Sequence, residues 1–394
     1  MSINLSDMKS YVAAVQEDVV KWRRHLHENP ELSFEEAETS QFVYDTLMTF
    51  GGLEVTRPTQ TSVLAKLRGN HPGPVLGIRA DMDALPIDEE NAFEFVSKTP
   101  GKMHACGHDG HTAMLLGTAK ILTQFKDQIH GEVRFIFQHA EELFPGGAQQ
   151  MVDAGVLEGV EAVIGIHLWS PLEIGKIAVR TGPFMAASDA FHISIQGKGG
   201  HAAQPHLTID PIVIAAQVVT NLQHIVSRNF DPIDPLVLSI TQFHAGTAHN
   251  IIPEKVELAG TVRSFKPGLR DEVPVQMEQI IKGLTEAHGA SYEFRYEKGY
   301  AAVMNDAAVT EKVRTALVET FGEDVVVEGE QQMGGEDFSA YQQVVPGTFF
   351  YVGAGNAEKG IIYPHHHPKF TIDEEALPIG VESFVNIVLK TLGE

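Results

Sequence analysis

Val75-Leu76-Gly77-Ile78-Arg79-Ala80, running into Asp81-Met82-Asp83, decides how this chain is read. The apolar residues do not alternate with polar ones, which is the pattern of a strand covered on both faces in a parallel sheet. Two carboxylates follow at its end. The same arrangement recurs downstream. Residues 132–138 read as a strand ending in His139-Ala140-Glu141-Glu142, and residues 162–166 read as a strand ending in His167. Helices are expected between them at 110–125 and 148–154. Strands alternating with helices imply an α/β sheet, and open sheets of this kind bind ligands at their C-terminal edge, where these acids and histidines fall.

Upstream, residues 6–28 carry Val12, Val15, Val19, Trp22 and Leu26 at helical spacing, and Pro30 stops the run. Ser33 and Glu36 have the spacing of a capping box that opens a second helix bearing Ala37, Phe42, Val43 and Leu47. Gly51-Gly52 closes it. Arg23, Arg24, His25 and His27 crowd the end of the first helix, where cations suit the helix dipole. Residues 63–68 form a strand, and Gly69 to Pro74 form a turn before the strand at 75–80.

Near residue 184 the pattern changes. Strand 186–196, helix 209–227, strands 236–246 and 250–264, helix 269–288 and strand 291–299 give the order β-α-β-β-α-β, the ferredoxin-like arrangement. Helices at 306–321 and 336–344, a strand at 347–353 and a helix at 373–391 then bring back acids and histidines. The expected organisation is one α/β domain, residues 1–183 and 300–394, interrupted by an α+β domain at 184–299.

The chain of 394 residues has 29 basic and 52 acidic side chains, a formal charge of -23. That balance argues against nucleic acid or an anionic membrane as partner, though one local arginine can still hold an anionic substrate. A single cysteine allows no internal disulfide and fits a reducing compartment. The segment Met1 to Asp7 lacks the basic and apolar regions of a signal peptide. No apolar run nears the ~20 residues of a membrane span. A cytoplasmic protein is expected.

The densest chemistry lies in Met103-His104-Ala105-Cys106-Gly107-His108-Asp109-Gly110-His111. Cys106 and His108 are both good ligands for borderline-soft divalent metals. Taken alone, they could equally be a loop with a buried thiol. Adjacent Glu141 and Glu142 point in different directions on an extended segment, so one can bind metal while its neighbour handles a proton. A pair of solvated surface acids is the plainer alternative. Asp81 and Asp83 share a face if extended, which is costly without a cation; a structural or Ca2+-type pair is the rival. His167 by itself could be a satisfied core histidine. The run His365-His366-His367 is internal and supplies at least one more ligand.

Nine blocks in order carry a resemblance: RADMDALPI (79–87), MHACGHDGHTA (103–113), HAEE (139–142), GIHLW (165–169), GGHAAQPH (199–206), HNIIPE (249–254), GTVRSF (260–265), GGEDF (334–338) and HHHPKF (365–370). Together they resemble the metal-dependent amidohydrolases of the aminoacylase and carboxypeptidase superfamily. The similar branch holds hippurate hydrolase, N-acyl-amino-acid amidohydrolases and plant auxin-conjugate hydrolases. The resemblance implies a catalytic domain with two divalent ions per subunit (Zn2+, Mn2+, Co2+ or Ni2+), held by Cys106, His108, Glu142, His167 and His366. Glu141 is implied as general base and acid, and Asp83 as the carboxylate that orients a ligand. The inserted domain is implied to be a lid and dimerisation domain. His201 would stabilise the oxyanion across a homodimer interface, in a dimer or a tetramer built from dimers. Asn250 and Arg263 would hold the substrate carboxylate. The implied reaction is hydrolysis of an N-acetyl or N-benzoyl amino acid. A dipeptidase, a carboxypeptidase or an N-acetyl-diaminopimelate deacetylase shares the same chemistry, and a structural or storage metal protein is the reading without catalysis. One departure stands out. Asp81-Met82-Asp83 replaces the His-x-Asp of the wider superfamily, and the usual first histidine ligand is missing.

Overall fold

The computed structural model describes residues 5–393; residues 1–4, on which part of the signal-peptide reading rests, lie outside them. Helix α1 (Leu5–Glu28) buries Val12, Val15, Val19 and Leu26, the stripe expected from spacing. It is followed by α2 (Ala37–Phe50), β1 (Glu54–Thr56), β2 (Val63–Arg68) and β3 (His71–Asp81). Then come α3 (His108–Leu122), β4 (His130–Gln138), α4 (Gly147–Asp153), β5 (Ala162–Glu173) and β6 (Ile177–Val179). A second set follows: β7 (Ala187–Gln196), α5 (Pro211–His224), β8 (Leu236–Ala245), β9 (Lys255–Ser264), α6 (Pro267–Ala287) and β10 (Ser291–Glu297). The chain closes with α7 (Ala307–Phe321), β11 (Val326–Glu328), β12 (Gly347–Gly355) and α8 (Ala376–Leu392).

Contacts divide the chain into two compact units: residues 1–184, 304–330 and 337–394 form one, and residues 185–303 with 331–336 form the other. In the first, eight strands lie in the order β1-β2-β4-β3-β5-β12-β6-β11, and the central four, β4, β3, β5 and β12, are parallel. The chain passes from β3 to β4 on one side and then to β5 on the other, so β3 borders a topological switch point. Register puts Asp81 opposite Gln138 on β4, while Arg79 opposes Gly165 on β5 and His167 opposes Tyr351 on β12. Gln138, Asp81, His167 and Tyr351 therefore form one row across the sheet. Helix α3 is buried on nearly every side, packed against α1 and α8. Its middle, Ala113-Met114-Leu115-Leu116, suits such a position, while its first turn buries His108, Asp109 and His111.

The second unit has four antiparallel strands in the order β8-β9-β7-β10. Its β7 alternates buried and less buried residues, and Phe191, Ile193 and Ile195 meet Ile214, Val218 and Leu222 of α5 and Met277 and Ile281 of α6. No helix among the described residues is long and apolar enough to cross a membrane.

Several local expectations differ from what forms. The breaker turn before β3 is shorter, because His71 already pairs with His130. The strand expected at 250–264 splits at Pro253-Glu254 into a short pair at 251–252 and β9, since proline cannot donate to the ladder. The helix expected at 336–344 shrinks to Ser339–Gln342. Ser33 and Glu36 do not cap α2; the Glu31 carboxylate instead accepts the Thr39 amide in its first turn at 2.7 Å. Nor do the cations ending α1 merely answer a dipole. Arg23, 1% exposed, donates to Asp109 at 2.8 Å, and His27 bridges Asp109 and Glu89 at 2.8 and 3.0 Å.

Removing one partner of a buried ion pair strands the other charge. Arg23→Ala is therefore expected to destabilise the first unit by about 3 kcal/mol or more. Both tryptophans, Trp22 and Trp169, lie in that unit, so urea unfolding followed by tryptophan fluorescence measures the effect.

Candidate metal centre

The loop 103–107 reaches the sheet edge through Gly107, whose φ of +99° is open to glycine at little cost. That left-handed step turns the chain into α3, so that Cys106 and His108 face one cluster. Ligand atoms of Cys106, His108 and His167 lie within 4.8 Å of one another, as do those of Cys106, Glu142 and His366, and those of His108, Glu141 and Glu142. The six residues thus share one site, with Cys106, His108 and Glu142 common to its parts. His167 sits within β5 rather than at its end, because β12 continues to pair along the strand. It is nonetheless level with Asp81, the last residue of β3.

The histidines are fixed by what their other nitrogens do. His108 Nδ1 donates to the Asp83 carbonyl at 2.9 Å and approaches Asp83 Oδ1 at 3.2 Å, which turns Nε2 into the cluster. His167 Nδ1 donates to the Leu168 carbonyl at 2.8 Å, leaving Nε2 3.5 Å from Cys106 Sγ. Of the C-terminal three, His366 brings Nε2 to 3.2 Å from Glu142 Oε1. His365 instead accepts from the Ser170 amide and lies tilted by 30° against Trp169, and His367 stacks on Tyr363. His366 has a left-handed φ of +65°, and its amide donates to the Ala105 carbonyl, so its loop is tied to the cysteine loop.

Asp83 carries most of the supporting contacts. Besides His108, it accepts the Glu142 amide at 3.0 Å and the Ser33 hydroxyl at 2.6 Å. Burial opposes its ionisation, but His108, Ser33 and the Glu142 amide hold its carboxyl below the usual range. Asp81 is occupied otherwise. One oxygen receives Arg79 at 2.6 Å and the other His111 Nδ1 at 2.6 Å. His111 Nε2 accepts the Leu168 amide at 2.9 Å, so this ring is neutral and anchors β5 next to His167. Arg79 also reaches Gln138 and Asp337 at 2.8 and 2.9 Å. Asp81 and Asp83 are therefore balanced by protein cations and donors, and neither resembles a free Ca2+ pair.

His111, Arg79, Gln138, Asp337, Ser33 and Glu36 escape sequence reasoning. His111 stood in the quoted motif, and its spacing after His108 was the one available signal.

Does the set fit a divalent cation? Burial, with Glu142, Glu141 and Asp81 nearby, pushes the Cys106 thiol well up. Burial works against a charged His108, yet Asp81, Asp83 and Glu142 push it up to about 10. Buried His108 Nε2 and Glu142 Oε1 have no hydrogen-bond partner, although His366 comes close to the latter. Thiol, imidazole and carboxylate facing inward, with two unmatched buried polar atoms and surplus acid, are what a bound divalent ion satisfies. The residues fit.

The second unit holds the remaining candidates. His201 and Asn250 are neighbours: His201 pairs with Ile251, and the Ala202 amide donates to the Asn250 carbonyl at 3.0 Å. His201 Nδ1 accepts the Ala203 amide at 3.1 Å, so Nε2 carries the proton and is free to donate. Arg263 is not brought together with them. It lies near the far end of β9, paired with Val237 and Ser188, eight residues from Lys255. At the rise of an extended strand that is roughly 26 Å.

The model of Peptidase family M20/M25/M40 matches residues 77–390. An N-acyl-L-amino acid amidohydrolase of Geobacillus stearothermophilus is 67% identical over 299 residues, 76% of this chain and 81% of that protein. Thermostable carboxypeptidase 2 of Saccharolobus solfataricus is 44% identical over 97% of this chain and 98% of its own. A crystal structure from Bacillus subtilis, described as a dinuclear metal binding peptidase from the M20 family, superposes with a TM-score of 0.84 at 39% identity. That match covers 96% of this chain and 99% of the other.

Partners that orient a ligating histidine are worth about 10–100-fold in metal affinity. Asp83→Ala is expected to lose that much, measured by competition for the metal with a chromogenic chelator.

Proposed function

The chain belongs to peptidase family M20/M25/M40, and from that membership we propose that it is a metal-dependent hydrolase cleaving the amide bond of N-acyl amino acids. The products are a carboxylate and a free amino acid. The observation that carries the reading is Glu141, buried beside Glu142 with its oxygen within 4.8 Å of His108 and Glu142 ligand atoms. Cys106, His108, Glu142, His167 and His366 would hold two divalent ions, which lower the pKa of water from 15.7 toward ~7 and polarise the amide carbonyl. Glu141 takes the proton of the attacking water as the C–O bond forms, and returns it to the amide nitrogen as the C–N bond breaks. Asp83 keeps His108 in the tautomer that presents Nε2.

His201 Nε2–H donates to the developing oxyanion, a contribution worth about 3 kcal/mol, while Arg263 forks onto the substrate carboxylate and Asn250 assists. The span of roughly 26 Å along the strand is too long for one inserted unit to offer both Arg263 and His201 to one small substrate. The reading therefore takes His201 and Asn250 from a partner subunit in a homodimer, with the inserted unit as lid and dimerisation domain. A cytoplasmic location belongs to the same reading. Likeness to a carboxypeptidase over 97% of the chain favours a second substrate class, C-terminal peptide bonds, cut by the same machinery.

Glu141→Ala is expected to abolish turnover while metal content stays near two per subunit by elemental analysis. Retained turnover would remove Glu141 from its role. Chelation is expected to stop hydrolysis, and Mn2+, Co2+, Ni2+ or Zn2+ to restore it. A panel of N-acetyl and N-benzoyl amino acids beside dipeptides ranks the two substrate classes by kcat/KM. In sedimentation, the active species is expected to be a dimer or tetramer; a fully active monomer contradicts the role of His201 across subunits.

A further inference from the structure

Ala140 has a φ of +49°, one residue before Glu141 and two before Glu142. For an alanine the left-handed region costs on the order of 1 kcal/mol, and such a conformation persists where its surroundings over-determine it. Its amide donates to Glu36 Oε1 at 2.7 Å, and its carbonyl accepts the Gly147 amide at 2.8 Å. Two residues on, the Glu142 amide donates to Asp83 Oδ2, the same oxygen that takes the Ser33 hydroxyl. Ser33 and Glu36 thus grip the two sides of one turn, from a single segment at the entrance to α2.

Glu36 is 0% exposed, and its second oxygen has no well-aligned partner, though Thr61 stands beside the carboxyl. Burying a carboxyl with unmet hydrogen-bonding capacity is costly, and here it does nothing for the helix it precedes. The gain lies at the other end of the contact. We propose that Ser33 and Glu36 are positioning residues that set the directions of Glu141 and Glu142, Glu36 through the Ala140 backbone and Ser33 through Asp83. Neither belongs to the groups of inward-facing donors around Cys106, His108 and Glu142. Because the contact needs one acceptor oxygen, glutamine at position 36 preserves it and alanine does not. Burial and the charge of Asp83 push the Glu36 carboxyl up to about 7, so the neutral amide is a close mimic of a form already populated near neutral pH.

The kinetic arm of the test rests on the hydrolytic reading; the metal arm does not. Full-length wild type, Glu36→Ala, Glu36→Gln and Ser33→Ala are compared for kcat and KM on an N-acetyl amino acid. Each is also stripped of metal and titrated with Mn2+ by calorimetry. Misplacing a reacting group by about 1 Å costs on the order of 100-fold, so Glu36→Ala is expected to lose about that much in kcat with KM within about threefold. Glu36→Gln is expected to recover at least about tenfold of that loss. Glu36→Ala and Ser33→Ala are each expected to weaken Mn2+ binding about 10–100-fold. Wild-type kcat and Mn2+ affinity in Glu36→Ala, or a Glu36→Gln as damaged as the alanine variant, overturns the proposal. If Glu36→Ala does not fold, wild-type Mn2+ affinity in Ser33→Ala overturns it instead. A wild type inert toward every substrate counts against the hydrolytic reading alone, and the titrations then decide the clamp.

Discussion

Asp83 is the carboxylate on which the geometry of the site turns. Its two oxygens and its carbonyl engage His108, the Glu142 amide and the Ser33 hydroxyl, so one buried anion spaces the start of α3, the turn after β4 and the entrance to α2. A buried carboxylate survives only with such donors around it. The reverse also holds: with every donor spent on Asp83, none of the three elements can drift without uncovering charge. This cost fixes the inward-facing atoms more tightly than a hydrophobic contact does, because dispersion contacts are individually weak and non-directional.

The sheet supplies the coarse alignment. The row formed by Gln138, Asp81, His167 and Tyr351 is set by strand register, and register is stiff where both faces are covered. Arg79 and His111 then weave that row together. Arg79 reaches Asp81, Gln138 and Asp337, and His111 ties Asp81 to the Leu168 amide. The Asp81 carboxylate, at the position where the resemblance leads one to expect a histidine, is part of this framework. Cys106 stands among the inward-facing donors instead.

Much of this is legible in the residues. Strand 75–80 shows as an unbroken apolar run bounded by breakers, and the helices of the first unit and the β-α-β-β-α-β run show through apolar patterning, since both kinds of pattern follow directly from burial. What is not legible depends on partners far away in the chain. Ser33 and Glu36 carry the spacing of a capping box, and spacing alone cannot separate a cap from a clamp; only the placement of Asp83 and Ala140 does. The Arg23–Asp109 pair spans 86 positions, so the dipole explanation was the local one available. His167 read as a strand end because its apolar run stops there, while the pairing with β12 carries the strand on to Glu173.

One asymmetry among the inward-facing donors bears on how the centre is filled and emptied. His108 and His167 are almost sealed from solvent, whereas the side chain of His366 is 53% exposed, on a loop tied to Ala105 through the His366 amide and to Glu90 through the Pro368 carbonyl. A deep position and a rim position then differ in their access to solvent. On the two-ion reading proposed above, exchange with solvent would run past His366, and the seat that it lines would empty before the one lined by His108 and His167.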